Sequence, residues 1–258
     1  MKKLLSILLC LALICCSAFT QVACDDEDDN SDGKGVATLN GKTPQDLYSA
    51  ALAKVKGLTN YEMTTTQVIT MSAQGQTVTM NQVLLSKING QDNYVKLAND
   101  MESSVNMETW YVGEWVYVIT NTARNKANIT YAEMVDKYMP DGATGESALM
   151  NIPEAWFKDV RFQQEGEKYY IQFIVSGEEY TTFMKSTALG DKLQGVEDVS
   201  YKVYFDAQGE LGDIITEFDY TVEGIACSAV STSKIANIGG VSIEAPQGNF
   251  NDVTNFMP

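Results

Sequence analysis

The stretch YKVYFDAQGELGDIITEFDYTVEGIACSAVSTSKI, residues 201–235, changes character every second residue over most of its length. That is the period of a pleated strand, whose side chains point alternately to the two faces. Its β-branched and aromatic residues suit strands, and Asp206-Ala207-Gln208-Gly209 and Glu223-Gly224 carry turn chemistry. Three antiparallel strands are therefore expected, over 199–205, 210–222 and 225–235.

Working outward, the same period runs through 61–72, 77–88, 94–98, 107–112 and 115–118. Ala73-Gln74-Gly75-Gln76, Asn89-Gly90 and Gly113-Glu114 separate these runs as hairpin turns. A helix precedes them: Thr43 caps it, Pro44 suits the first helical position, and Asp46 favours the positive end of the helix. Leu47, Ala50, Ala51, Val55 and Leu58 follow at helical spacing, and Gly57 ends the run. Two further capping boxes, Thr130 with Glu133 and Ser176 with Glu179, predict helices, the second reaching Leu193. A short helix carrying Trp156 and Phe157 is expected over 152–160, a strand over 169–175, and a closing strand over 241–243. Runs of strands with segregated helices indicate an α+β domain built on a large antiparallel sheet.

The N-terminus reads as an export signal. Lys2 and Lys3 precede an apolar run from Leu4 to Phe19, which is signal-peptide length and short of the roughly 20 residues of a bilayer span. Val22-Ala23-Cys24 resembles the end of a bacterial lipobox, in which the cysteine receives a diacylglyceryl group. Gln21 departs from the aliphatic residue usual three positions before that cysteine. The alternatives are cleavage at Cys15-Cys16, and secretion that leaves Cys24 as a free thiol. Two acyl chains hold a protein on a membrane where one does so only marginally. The expected organisation is a signal peptide over 1–23, an anchor cysteine and acidic tether over 24–42, a domain over 43–250 and a loose tail over 251–258.

Asp28, Asn30, Asp32 and Gly33 imitate the start of an EF-hand loop, but Leu39 stands where the closing bidentate Glu belongs. The acidic run is instead a tether that cannot bury apolar surface. The formal net charge of −16 becomes −18 once Lys2 and Lys3 leave with the signal, which argues against nucleic acid as a partner. Of five cysteines only Cys227 follows Cys24, so no intrachain disulfide framework is expected and the core must hold the fold. The chain contains no histidine, which removes His-based triads, His-assisted zinc sites and the commonest general base at neutral pH. Paired carboxylates remain chemically available, but Glu178 and Glu179 read as a helix start, and Asp213 and Glu217 as the wet face of a strand. No catalytic residue, metal or cofactor is expected.

The order of elements, with ETWYVGEWVYV (108–118), NITYAEM (128–134) and the closing GGVSIEAPQG (239–248), resembles the LolA/LppX-type lipoprotein superfamily. Within it the chain is most similar to the uncharacterised Gram-positive lipoproteins. The resemblance spans roughly residues 43–250. It implies a curved antiparallel sheet, an unclosed half-barrel with helices on its concave side, that holds acyl chains. No ligand residue transfers from that family one by one. Trp110, Trp115, Tyr117, Trp156, Phe157 and Met134 are the expected cavity residues, because aromatic and Met side chains form adaptable apolar surface. The expected function is a lipid-anchored extracytoplasmic protein binding a lipid or other hydrophobic ligand. The alternative is an envelope interaction protein with a filled core and a protein partner.

Overall fold

The computed structural model describes residues 18–19, 38–73, 75–100, 106–133, 149–150, 152–184, 193–222 and 224–254. Cys24 and Met134 lie outside them. Helix α1 (Pro44–Lys56) starts as the sequence predicts: the Thr43 hydroxyl accepts from the Asp46 N–H, and the Asp46 carboxylate accepts from the Thr43 N–H at 3.0 Å. Six strands follow: β1 (Asn60–Ala73), β2 (Gln76–Asn89), β3 (Asp92–Asn99), β4 (Asn106–Val112), β5 (Trp115–Thr120) and β6 (Arg124–Asn128). After a 3-10 turn (Glu154–Trp156) come β7 (Lys158–Glu165), β8 (Lys168–Val175), α2 (Gly177–Met184) and β9 (Leu193–Gln194). The chain closes with β10 (Val199–Phe205), β11 (Leu211–Val222), β12 (Ile225–Ala236) and β13 (Asn251–Asp252).

These strands form one sheet in the order β13-β6-β5-β4-β3-β2-β1-β12-β11-β10-β8-β7, with β9 added to β11. Two meanders run outward from the centre, where β1 pairs antiparallel with β12 over Glu62–Ser72. The sheet does not close: β7 and β13 are its two edges. Residues 18–19 and 149–150 pair separately as a two-residue parallel ladder. The fold is the expected α+β arrangement, a curved, unclosed antiparallel half-barrel with helices on the concave side.

The hairpins follow from local chemistry. In the Asp206–Glu210 turn the Asp206 carboxylate accepts from the Gln208 and Glu210 N–H groups, both at 2.9 Å, and Gly209 takes a φ of 81° that glycine adopts without strain. Gly177, at the start of α2, is required for another reason. A Cβ there would lie 1.9 Å from the Val196 carbonyl oxygen, so only glycine lets the helix meet that loop.

The main core lies between α1 and the strands on one side of centre. Leu47, Tyr48, Ala51 and Val55 of α1 join Phe173, Tyr201, Phe205, Phe218 and Tyr220 in a single cluster. Phe157, Phe173 and Tyr201 stack in turn, with centroids 3.9 Å and 5.0 Å apart, and Tyr48 meets Phe173 edge-on at 5.7 Å. Such packing adds about 0.5–1.5 kcal/mol per aromatic pair beyond the area buried. A second, small cluster on β2 and β3, Leu84 and Leu97 with Val95 and Met107 against them, stands apart from it.

Several expectations are corrected. Residues 158–165 are an edge strand rather than the end of a helix; Phe162 is its only buried residue, and a bulge opposite Gln172/Ile174 breaks the ladder. A charged, irregular edge of this kind resists pairing with other chains. Residues 124–128 form a strand that carries little alternation. Residues 241–243 are not a strand. There Asn60 takes the place of a strand partner, its Oδ1 accepting from the Val241 N–H and its Nδ2 donating to the Val241 carbonyl, both at 2.8 Å. Residues 251–254 are docked rather than loose: β13 pairs with β6, the Val253 N–H donates to the Lys126 carbonyl at 2.9 Å, and the Thr254 hydroxyl accepts from the Asn128 N–H at 2.8 Å.

Candidate functional site

Cross-strand register sorts the side chains of the sheet into rows, because directly paired residues point to the same face. Ile69 and Met80 pair with Ala229 and Phe218 in an apolar row of the main core. The next row on the same face is Thr216, Ser231, Gln67 and Gln82, every one buried and every one polar. Beside it lie Ser233 and Thr65, followed by Leu84 and Leu97 of the second apolar cluster. A buried polar band therefore separates two apolar patches on the inner face, the one that also carries α1.

The band is partly satisfied. Gln67 Nε2 donates to Ser231 Oγ at 3.0 Å, and the Thr65 and Ser233 hydroxyls bond at 2.8 Å. Among the described residues, Gln67 Oε1 and both amide atoms of Gln82 are buried with no hydrogen-bond partner, although each side chain is only 2% exposed. Such an atom costs about 1–3 kcal/mol of desolvation when left unpaired. The reverse face at the same place is inverted in the opposite sense. Val68, Val83 and Val230 are 43%, 42% and 40% exposed there. Polar residues inside and valines outside break the usual patterning at the sheet centre, where a purely structural sheet would have exchanged them. The band is also uncharged: among the described residues, the buried polar side chains are Thr, Gln, Ser and Asn.

The predicted site residues do not form one group. Trp110 pairs with Tyr94 and Tyr117, Tyr117 with Lys126, and Trp115 with Val112 and Asn128, all on the reverse face. There Trp110 packs on Tyr94 at 4.9 Å, Tyr117 meets Phe250 at 5.2 Å, and Lys126 Nζ lies 4.4 Å over the Trp115 ring. Tyr94 also donates its hydroxyl proton to Glu108 at 2.8 Å; burial, then that bond and the carboxylate charge, raise its pKa. These aromatics cannot share a cavity on the inner face, because strand alternation fixes them on the other side.

Trp156 and Phe157 do lie with the main core. Phe157 lines, with Pro44, Gln45, Tyr48, Val160 and Ile171, an apolar cleft of about 240 Å³ counted with its open mouth. Its enclosed space is only about 10 Å³, room for about one water and far short of the roughly 300–1,000 Å³ of drug-sized ligand sites. Farther along the inner face, Tyr111 meets Tyr131 edge-on at 5.1 Å, and burial, then Tyr131, push its hydroxyl pKa up to about 12. Tyr131 belongs to the turn capped by Thr130 and Glu133, whose N–H groups and oxygens bond reciprocally at 2.8–3.1 Å. Cys227 is a buried free thiol, and burial raises its pKa, so it is a poor nucleophile.

Gln67 and Gln82 were the residues that sequence reasoning missed. The only signal was a polar residue at every second position of a strand, in phase with Ile69 and Met80. The polar run Thr64-Thr65-Thr66-Gln67 hides that phase.

Residues 43–200 match the Family of unknown function (DUF6612). The chain belongs to that family. The DUF6612 match takes in α1 and β1 to β9, hence Gln67 and Gln82, while Ser231 lies beyond it. No curated protein matches the chain. Among solved structures, 28 chains match. One is the lipoprotein LppX of Mycobacterium tuberculosis, with 8% identity, TM-score 0.39, and coverage of 76% of this chain and 95% of that one. Another is a LolA superfamily protein from Nitrosomonas europaea, with 11% identity, TM-score 0.27, and coverage of 79% and 96%. A DUF1329 family protein from Desulfovibrio piger is 12% identical, with TM-score 0.27 and coverage of 77% and 95%. These structures include the LolA/LppX group that the element order resembles. No helix among the described residues is long and apolar enough to cross a membrane.

Proposed function

We propose that this member of the DUF6612 family is an extracytoplasmic bacterial lipoprotein, anchored through Cys24, that holds a hydrophobic ligand against the inner face of its sheet and catalyses no reaction. The observation that carries this reading is the division of the inner face. The α1 half is filled by the stacked Phe157, Phe173 and Tyr201, while Leu84, Leu97, Val95 and Met107 form a separate apolar patch beyond the polar band. A protein held together by a single core has no need of a second, separate one. The acidic segment after Cys24 supplies reach and keeps an acidic domain off an anionic surface. The filled α1 half is what favours the other reading, an envelope interaction protein without a ligand.

The test is native mass spectrometry of the full chain isolated from a bacterial envelope and released gently from detergent. Retained lipid of defined mass, lost on delipidation and regained on exposure to envelope lipid extract, is the expected result. A protein that never carries a bound lipid refutes the ligand reading. Separately, palmitate labelling that persists in Cys24→Ala refutes the anchor.

A further inference from the structure

We infer that the β7 edge of the sheet pairs antiparallel with the β7 edge of a second copy of this chain, the two-fold axis passing between the two Gln163 residues. The edges of the sheet are unequal. At one, β13 is 2 residues long and ends the ladder. At the other, β7 runs for 8 residues, and no strand lies beyond it among the described residues.

The backbone fixes which residues can pair. β7 and β8 join through the two-residue loop Gly166-Glu167, so Glu165 and Lys168 close the hairpin as a hydrogen-bonded pair. Alternation then turns the N–H and C=O groups of Gln163 and Arg161 towards β8, and those of Gln164 and Phe162 away from it. A strand added at this edge must bond at 162 and 164. The bulge beyond Arg161 ends the regular edge, which leaves residues 161–165 as the length available.

Charge then selects the partner. Phe162 is buried on the inner face, so Arg161, Gln163 and Glu165 share the reverse face. Arg161 and Glu165 are both exposed, and neither is in an ion pair among the described residues. Glu165 accepts only from the Tyr204 hydroxyl, at 3.1 Å. When Gln163 stands opposite its own copy, Phe162 and Gln164 exchange backbone hydrogen bonds with Gln164 and Phe162 of the second copy. Arg161 then lies directly opposite Glu165 of the partner subunit, and Glu165 opposite the partner's Arg161. Both pairs occupy non-hydrogen-bonded positions, where opposed side chains are closest. Sliding the strands by two residues in either direction separates both pairs. The charges that turn away an unmatched strand therefore fit this one. Pairing over so short an edge buries less than the roughly 1,000 Å² of a stable interface, so the dimer is weak and reversible.

The experiment uses the same geometry. Opposed residues in a non-hydrogen-bonded pair have Cα atoms about 4.5 Å apart, within disulfide range. Cells producing the full chain with Gln163→Cys are treated with a mild oxidant, and linked dimer is read on a non-reducing gel. Wild type, with its 5 native cysteines, sets the background. Gln163→Cys is expected to link well above that background, and Gln164→Cys, whose side chain lies on the other face, is not. Arg161→Glu or Glu165→Arg added to Gln163→Cys should each cut the linked dimer about tenfold, because two attractive pairs become repulsive. Produced together, these two charge variants should restore it as a mixed dimer, since each offers the charge that the other lacks. Arg161→Cys produced with Glu165→Cys probes the same register, and should also link, if Gln163→Cys folds poorly. The pairing is overturned if Gln163→Cys at wild-type abundance gives no linked dimer, or if Gln164→Cys links equally well. It is overturned too if the charge variants change nothing, alone or mixed.

Discussion

The strands on either side of the β1–β12 pair share one continuous ladder but are packed differently. On the β7–β12 side, α1 covers a row of stacked aromatics, and Phe173, Val175, Val199 and Phe205 are at most 1% exposed. On the β2–β6 side, among the described residues, the separate buried cluster consists of Leu84 and Leu97, and Val116 and Ala127 are also buried. Trp110, Trp115 and Tyr117 turn to the reverse face there, while Tyr111 stays on the inner one. The difference separates two jobs within one sheet. The first half supplies the core that a chain with Cys227 as its lone cysteine after Cys24 must have. The second is left with apolar surface set apart from that core, behind a polar band whose hydrogen bonds are unfinished.

That contrast can be broken by substitution. The largest effect is expected for Phe173→Ala, which removes the ring between Phe157 and Tyr201; a loss of about 3–5 kcal/mol should appear in chemical denaturation. Leu97→Ala should cost less, about 2 kcal/mol, because its cluster is small and its surroundings can relax. It should also weaken lipid retention, which Phe173→Ala should not do in the fraction that remains folded. Equal stability losses from the two would mean that both halves are core. Trp115→Ala sharpens the contrast between faces: with the ring half-buried under Lys126, about 1 kcal/mol is expected, with lipid retention unchanged. Loss of retention in that variant would move the ligand to the reverse face.

The smallest effect concerns the helix caps, which should be indifferent to the division. Hydrogen bonds from Thr43, Thr130 and Ser176 hold the carboxyls of Asp46, Glu133 and Glu179 below the usual carboxylate range. A depressed folded-state pKa contributes stability above the unfolded value and loses it as pH falls through the folded one. Thermal midpoints should therefore hold from neutral pH down to about 4 and decline below it. Unchanged midpoints in that acid range would show that the caps contribute nothing.

Much of the fold was legible because its signals are local. Thr43, Pro44 and Asp46 cap α1 as their chemistry requires, and Asp206 to Gly209 and Gly113-Glu114 make the expected turns. What escaped is set by distant partners. β6, with sequence RNKAN, is a strand because β5 lies on one side and the chain's own C-terminal segment on the other: Arg124 donates to the Gln247 carbonyl at 2.6 Å and covers Phe250. The 241–243 segment has strand composition, but Asn60 takes its hydrogen bonds instead.

The candidate site was legible least. Hydrophobic alternation read alone would turn Val68 and Val83 inward and Gln67 and Gln82 outward, and the structure does the reverse. Only the register with Ile69, Met80 and Leu84 fixes the phase. Trp110, Trp115 and Tyr117 misled for a related reason: their mass suggested a cavity, but alternation from the buried Thr109 and Val116 sets them outside and leaves only Tyr111 of that group inside.

The central claim, that a ligand takes the inner face of the β2–β6 half, is tested most directly by tryptophan quenching with a diacylglycerol whose acyl chains are brominated. The chain has 3 tryptophans, and Trp110 and Trp115 lie on the reverse face. The protein to measure carries Val95→Trp with Trp110→Phe and Trp115→Phe, so that one new indole sits against Leu84 and Leu97. Strong quenching there, with wild-type emission little changed because Trp110 and Trp115 lie on the reverse face and Trp156 packs with the filled main core, is the predicted result. An unquenched indole in that variant, or equal quenching of the wild-type protein's Trp110 and Trp115, would contradict the account.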